Sequence, residues 1–300
     1  MITLRAHPCA PPPGLLCESP VWDSRTDELL WVDIRGGHIH RATLDRRLID
    51  LTHRSKISLE PPISAVVPCA SGGLLVTAGN AIYRIDDRTV TRLAAIPLPD
   101  DGIRRRLNDA KVDPRGRLLA GTMSEDGVRG RAALYRLDPD GALSTLRDGV
   151  SISNGLGWSP DGTTLYYADS PTKQVDAFEY DLATGTFSGG RPFARFEHGE
   201  PDGLTVDAKG WVWVAVWGAG QVHAFDPAGQ RRVIVEVGPA QVSSCAFAGP
   251  DLDVLVITTA AEGEVACEPD AGCLFACVPG AVGLPGTLYA DAGLVRSDGR

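Results

Sequence analysis

WSPDGTTLYYAD, residues 158–169, joins a turn-forming WSPDG to a short apolar strand, and the chain repeats that design five more times. The counterparts are WDSRTDELLWVD from Trp22, PCASGGLLVTAG from Pro68, VDPRGRLLAGTM from Val112, VDAKGWVWVAVW from Val206 and FAGPDLDVLVIT from Phe247. Their first residues recur at intervals of roughly 41–48 positions, a period that suits propeller blades or another repeat array. A second strand signal follows each one: GGHIHRATLD at Gly36, GNAIYRIDD at Gly79, RAALYRLDPDG at Arg131, KQVDAFEYD at Lys173, GQVHAFDPAG at Gly220 and GCLFACVPG at Gly272. The apolar runs bounded by turn residues read as buried strands, and the alternating runs as strands nearer the outside of a blade. A repeat of about 46 residues has room for four short strands and their turns. The expected fold is therefore all-β, a six-bladed β-propeller occupying residues 1–300 as one domain. The N-terminal ITLRAH is placed as an outer strand closing the last blade, beside GTLYADAGLV at the end, which would protect exposed edges.

Composition permits this and excludes other classes. An apolar fraction of 43% supports a core, and 34 Gly and 22 Pro fall largely where β-turns need them. A formal charge of −9 leaves no basic stripe for phosphates, so no nucleic-acid partner is expected; the densest basic run, IRRRLND at 103–109, is short and bordered by acids. The seven cysteines are odd in number and include no CxxC pair, so buried thiols are expected rather than a disulfide framework or a zinc knuckle. The N-terminus lacks a basic start followed by a long apolar run, and no stretch approaches the ~20 residues of a membrane helix. A cytoplasmic protein with no membrane partner is the expectation.

The turns also set a phase. Four residues ahead of them lie Glu18, Ser64, Asn108, Asn154, Asp202 and Ser243, all polar although they lead into apolar strands. Taken singly, the NG of SNGLGW and the DG of PDGLTV are ordinary turn dipeptides. Taken together, and placed just ahead of the strand that lines each blade's axis, the six side chains form a polar ring at one mouth of a central channel. Two carboxylates and one or two amide oxygens, with no His or Cys in phase, make a hard oxygen-rich site suited to one divalent ion: Ca²⁺, Mg²⁺ or Mn²⁺ by ligand type, with Zn²⁺ also accepting carboxylates. The six histidines fall outside this phase. His38 and His40 share a strand face expected at the surface, and His198, four residues before Asp202, is the histidine nearest the mouth in sequence.

Five blocks in order, CESPVWD with LLWVDI, RLNDAKVDPRGRLLAGTM, SISNGLGWSPDGTTLYYAD, PDGLTVDAKGWVWVAVWGAGQV and SSCAFAGPDLDVLVITTA, resemble the senescence marker protein, regucalcin and gluconolactonase family across nearly the whole chain. The resemblance implies a six-bladed propeller with one divalent metal in its central pocket, serving hydrolysis of sugar lactones. It implies Glu18, Asn154 and Asp202 as metal ligands and Arg106 and Asn108 on the substrate side. Asp109 reads as a structural turn residue. An acidic substrate contact after GTM falls on Asp126, with Glu125 competing for the role, while Trp217 and Gly218 shape the pocket or pack beside it. On this reading the metal polarises the lactone carbonyl, Asp202 acts on water as general base, and the product is a ring-opened hydroxy acid. The alternatives are a phosphotriesterase on the same scaffold, a calcium-binding regulatory protein, and a biosynthetic enzyme recruited from the lactonase scaffold. A closed ring requires no partner, so a monomer is compatible with the fold.

Overall fold

The computed structural model describes residues 1–9, 13–87 and 89–291. Its strands form six sheets. Cys17–Asp23, Glu28–Asp33, His38–Asp45 and Asp50–Ser58 make the first; Ile63–Pro68, Leu74–Ala78, Ala81–Asp86 and Thr89–Ala95 the second. Arg105–Val112, Leu118–Ser124, Ala132–Leu137 and Leu143–Val150 make the third; Ser153–Trp158, Thr164–Asp169, Gln174–Asp181 and Thr186–Arg195 the fourth. Glu200–Val206, Val212–Trp217, Gln221–Phe225 and Arg231–Glu236 make the fifth, and Val242–Ala248, Val254–Thr259 and Phe275–Cys277 the sixth. The first strand of each sheet packs against the first strands of both neighbours, closing a ring of six. The molecule is an all-β six-bladed propeller.

The turns that mark the repeat are hairpins between the first and second strands. In the third and fifth blades an aspartate holds each one: Asp113 Oδ1 accepts the Arg115 and Arg117 amides, and Asp207 Oδ1 those of Lys209 and Trp211. The second strands are apolar on both faces because each blade is covered on both sides. One apolar cluster fills each gap between neighbouring blades. Trp31 of the first blade thus packs with Val254 and Val256 of the sixth, and Trp213 of the fifth with Phe247 and Leu255 of the sixth.

Three expectations are corrected. The strand lining the axis is not the apolar run after each turn but the segment before it, so the ring residues lie within the innermost strands rather than ahead of them. GTLYADAGLV does not join the last sheet within the described residues: Tyr289 bridges to Cys69 and Ala290 donates to Gly116 O, across blades two and three, and residues 292–295 lie outside the described residues. His40 is buried, not at the surface, because its ring stacks on Trp31 at 4.9 Å and contacts His53, and burial pushes its pKa down to about 4.

At the N-terminus the ITLRAH segment serves two blades. Ile2–Arg5 pairs in parallel with Arg231–Glu236 of the fifth, and His7–Pro8 pairs with Phe275–Cys277 of the sixth. All seven cysteines are free, with Cys267 exposed and Cys273 half-buried. No helix among the described residues is long and apolar enough to cross a membrane.

Candidate active site at the polar mouth of the channel

Each innermost strand carries an irregularity in its pairing with the second strand, and all six fall at the ring phase. Register shifts lie between Glu18 and Val21, Ile63 and Ala65, Leu107 and Ala110, Ser153 and Leu156, Pro201 and Leu204, and Val242 and Ser244. Ser64, Asn108, Asn154, Asp202 and Ser243 are therefore among the residues the ladders skip, while Glu18 is the last paired residue before its shift. A bulge of this kind bends the strand and re-aims a side chain. It explains how a strand with buried apolar neighbours delivers a polar group toward the axis. Ser19, with φ at 51°, carries the left-handed conformation that turns the first strand past Glu18.

Gly155 and Gly203, which follow Asn154 and Asp202, are in strands and not in turns. A Cβ on Gly155 would stand 2.4 Å from Asp202 O, and one on Gly203 would stand 2.0 Å from Ser244 Oγ. The inner strands approach too closely there for any side chain. The NG and DG dipeptides mark close approach near the axis.

A cavity of about 230 Å³ opens at this mouth, lined by Glu18, Arg106, Asn108, Asn154 and Asp202. Leu16, Ile34, Met123, Ile152 and Trp217 give it an apolar wall, and Ser170, Glu200 and Glu262 add polar groups outside the ring phase. Asp126 lies outside this lining, where its carboxylate accepts from the Arg104 amide at 3.0 Å and guanidinium at 2.9 Å. Glu125 is also outside it, and His198 is exposed. Ser64 and Ser243 spend their hydroxyls on neighbours: Ser64 on Thr77 at 2.8 Å, Ser243 on Cys17 O at 2.6 Å and Thr258 at 2.8 Å.

Within the cavity the amides are held. Arg106 Nη1 donates to Leu107 O at 2.9 Å and to Asn108 Oδ1 at 2.8 Å. Asn108 Nδ2 donates to Ser153 O at 3.0 Å and to Asn154 Oδ1 at 2.7 Å, which occupies both of its hydrogens. Asn154 Nδ2 donates to Ser170 Oγ at 2.7 Å, leaving Oδ1 with a second acceptor direction.

The carboxylates are the unbalanced part of the site. Burial first, and then the Asp109 charge, push the Glu18 pKa up to about 8. Asp202 is raised well above the usual carboxylate range by burial, then by Glu18 and Asp109. Glu18 accepts the Ser19 amide at 2.8 Å, yet among the described residues neither carboxylate has an ion pair within 4 Å. Arg106, whose own pKa is lowered chiefly by burial, is turned toward Asn108. Two buried acids, both raised by Asp109 and one of them, Asp202, also by Glu18, with an amide oxygen on the same cavity, form a donor set that a hard divalent ion would balance. No cluster of three or more His, Cys, Asp or Glu suited to a metal occurs among the described residues.

The family described as SMP-30/Gluconolactonase/LRE-like region matches residues 16–261. Regucalcin of Xenopus laevis is 38% identical over 260 residues, covering 82% of this chain and 83% of that protein. A Bacillus subtilis (strain 168) protein named for sugar lactone lactonase activity, YvrE, is 36% identical over 271 residues, covering 87% and 90%. The crystal structure of a calcium-binding protein, regucalcin, from Agrobacterium tumefaciens superposes with a TM-score of 0.87 at 27% identity, covering 96% of this chain and 99% of that one.

Proposed function

The chain belongs to the SMP-30/gluconolactonase/LRE-like family, and on that premise we propose that it hydrolyses sugar lactones to hydroxy acids at the polar mouth, with one divalent cation held by Glu18, Asn154 and Asp202. The observation that carries the proposal is the pair of buried carboxylates that face one cavity with no protein ion pair among the described residues. Such an ion, when bound, supplies Lewis-acid polarisation of a carbonyl and offsets the negative charge that develops on its oxygen.

The chain's own groups supply the rest. Asp202 is the base that takes a proton from the attacking water; the water oxygen bonds to the carbonyl carbon, the ring C–O bond breaks, and the ring oxygen leaves as a hydroxyl by taking the proton that Asp202 holds, which regenerates the base. Arg106 keeps its Nε and Nη2 donors free of protein hydrogen bonds among the described residues, and these suit substrate hydroxyls. Asn108, with both amide hydrogens engaged, fixes Arg106 relative to Asn154. The apolar wall of Met123, Ile152 and Trp217 excludes water and faces the carbon skeleton. The groups named come from blades one, three, four and five of one closed ring, so residues 1–300 are taken as one domain whose site needs no second subunit to complete it.

The test is a pH-indicator assay over a panel of sugar lactones, with metal-stripped protein reconstituted by Ca²⁺, Mg²⁺, Mn²⁺ or Zn²⁺ in turn. Hydrolysis is expected only with metal present. A stripped protein that hydrolyses at the full rate removes the metal from the reaction. A second reading, in which the ion serves calcium binding alone, is favoured by the description of the Agrobacterium relative as a calcium-binding protein; it predicts metal uptake with no lactone turned over by any reconstituted form.

A further inference from the structure

We propose that Ser170 is a positioning residue for the metal, the far end of a one-way chain of hydrogen bonds that orients Asn154. The inference deepens the metal reading above and rests on it. The chain has four links. Arg106 Nη1 donates to Asn108 Oδ1 at 2.8 Å, Asn108 Nδ2 to Asn154 Oδ1 at 2.7 Å, Asn154 Nδ2 to Ser170 Oγ at 2.7 Å, and Ser170 Oγ to Pro201 O at 2.6 Å.

Its direction is set at both ends. A guanidinium can only donate, and a backbone carbonyl can only accept. The Ser170 proton must therefore go to Pro201 O, and the lone pair that remains on Oγ takes the Asn154 N–H. Rotating the Asn154 amide by half a turn would bring its NH₂ against the Asn108 NH₂ and force Ser170 to abandon Pro201. Rotating both asparagines would bring the Asn108 NH₂ against the Arg106 guanidinium. One orientation satisfies every link, and it keeps Asn154 Oδ1, the atom a hard cation would take, on the side of Asn108 and the cavity.

Ser170 also joins the two blades that supply neighbouring ligands. Asn154 lies on the inner strand of the fourth blade, and Pro201 immediately precedes Asp202 on that of the fifth. The serine opens the short 3₁₀ turn Ser170–Thr172, is buried, and has its backbone fixed by Ser170 N to Ile152 O at 3.3 Å and Lys173 N to Ser170 O at 2.9 Å. Its hydroxyl thus sets both the amide orientation of one ligand and its spacing from the next. Partners of this kind, which touch a ligand and not the metal, typically govern metal affinity by 10–100-fold.

The experiment is calorimetric titration of full-length, metal-stripped protein with CaCl₂, for wild type, Ser170→Ala and Ser64→Ala. The Ser64 hydroxyl is equally buried but bonds Thr77, away from the cavity. Ser170→Ala is expected to weaken Ca²⁺ binding by roughly 10–100-fold and Ser64→Ala to leave it unchanged. In Ser170→Ala, lactone hydrolysis is expected to return to within about threefold of wild type once Ca²⁺ is saturating, because the ligand itself remains. Wild-type affinity in Ser170→Ala overturns the inference, as does an equal loss in Ser64→Ala, or hydrolysis that stays lost at saturating metal. Wild-type protein that takes up no Ca²⁺ or other divalent ion overturns the metal reading itself.

Discussion

At one end of the inner strands, Glu18 and Asp202 share a cavity of about 230 Å³ in which, among the described residues, neither carboxylate has an ion pair and the Arg106 guanidinium is turned toward Asn108. At the other end a wider cavity of about 320 Å³ has both Asp109 and Lys111 in its lining, from one strand of the third blade. Burial disfavours the charged form of each of these two, raising Asp109 and lowering Lys111, but each one's charge favours that of the other. Lys111 is further tied by Nζ to Leu204 O at 2.6 Å. The inner strands thus carry acids toward both cavities, with Arg106 turned toward Asn108 at the narrower one and Lys111 on the strand of Asp109 at the wider one. The strongest charge acting on Asp109 is the favourable one of Lys111, whereas the strongest acting on Glu18 and on Asp202 is that of another acid; that difference is why a cation is proposed at the narrower mouth and not at the wider one.

The largest expected effect breaks the comparison at the acidic end. Asp202→Asn keeps the shape of the side chain and removes both the charge and the base. We expect lactone hydrolysis to fall by about 10³-fold, within the range general-base groups supply, with the circular dichroism spectrum unchanged. Weaker Ca²⁺ binding should accompany it. Full turnover in this variant would take Asp202 out of the reaction.

The opposite end is tested by removing its cation. Lys111→Met keeps the length of the stem and removes the positive charge that favours ionised Asp109, leaving the Ala110 backbone hydrogen bond to favour the charged form of that half-buried carboxylate. Because both groups retain some contact with the cavity, the loss should be about 1–3 kcal/mol rather than the full cost of a deeply buried orphan charge. Urea denaturation at fixed Ca²⁺ measures it, and adding Asp109→Asn should recover most of the loss. A Lys111→Met protein as stable as wild type would mean that Lys111 is not the counter-charge.

The contrast between the two mouths was only half visible in the sequence. The hairpin turns announced themselves by local chemistry, Asp113 and Asp207 holding their own backbones, so the period and the six blades could be read directly. The ring phase was legible because six polar residues kept one offset from those turns. The strands carrying them were not, since SNGLGW and PDGLTV contain glycines that local rules assign to turns; the close approach of neighbouring inner strands, which demands Gly155 and Gly203, is a property of the closed ring. Ser170 keeps a different phase and reaches Asn154 only after a hairpin folds it back, and Asp126 turns to Arg104, a partner no spacing rule singles out. The burial of His40 depends in the same way on Trp31 of the adjacent strand.

The smallest effect sharpens the comparison without mutation, through the pH dependence of stability. Glu18 has a pKa of about 8 in the folded, metal-free chain against 4.5 as its ordinary value, and Asp202 is raised in the same direction. Between those limits the folded state holds protons that the unfolded state has released. Stability from this mouth is therefore fully present below about pH 4.5 and is lost as pH rises toward 8, by up to about 1.4 kcal/mol per pH unit for one proton. Saturating Ca²⁺ supplies the missing positive charge in place of the protons, so the slope should flatten and the stabilisation by metal should grow with pH. Paired urea titrations from pH 5 to 8, with and without Ca²⁺, read both quantities at once. Parallel curves would show that the ion does not sit beside these carboxylates. Convergence toward low pH and separation toward high pH is the signature of acids that share one external cation, and repeating the pair of curves in Lys111→Met shows how far the Lys111 charge, which also favours ionised Glu18, contributes to it.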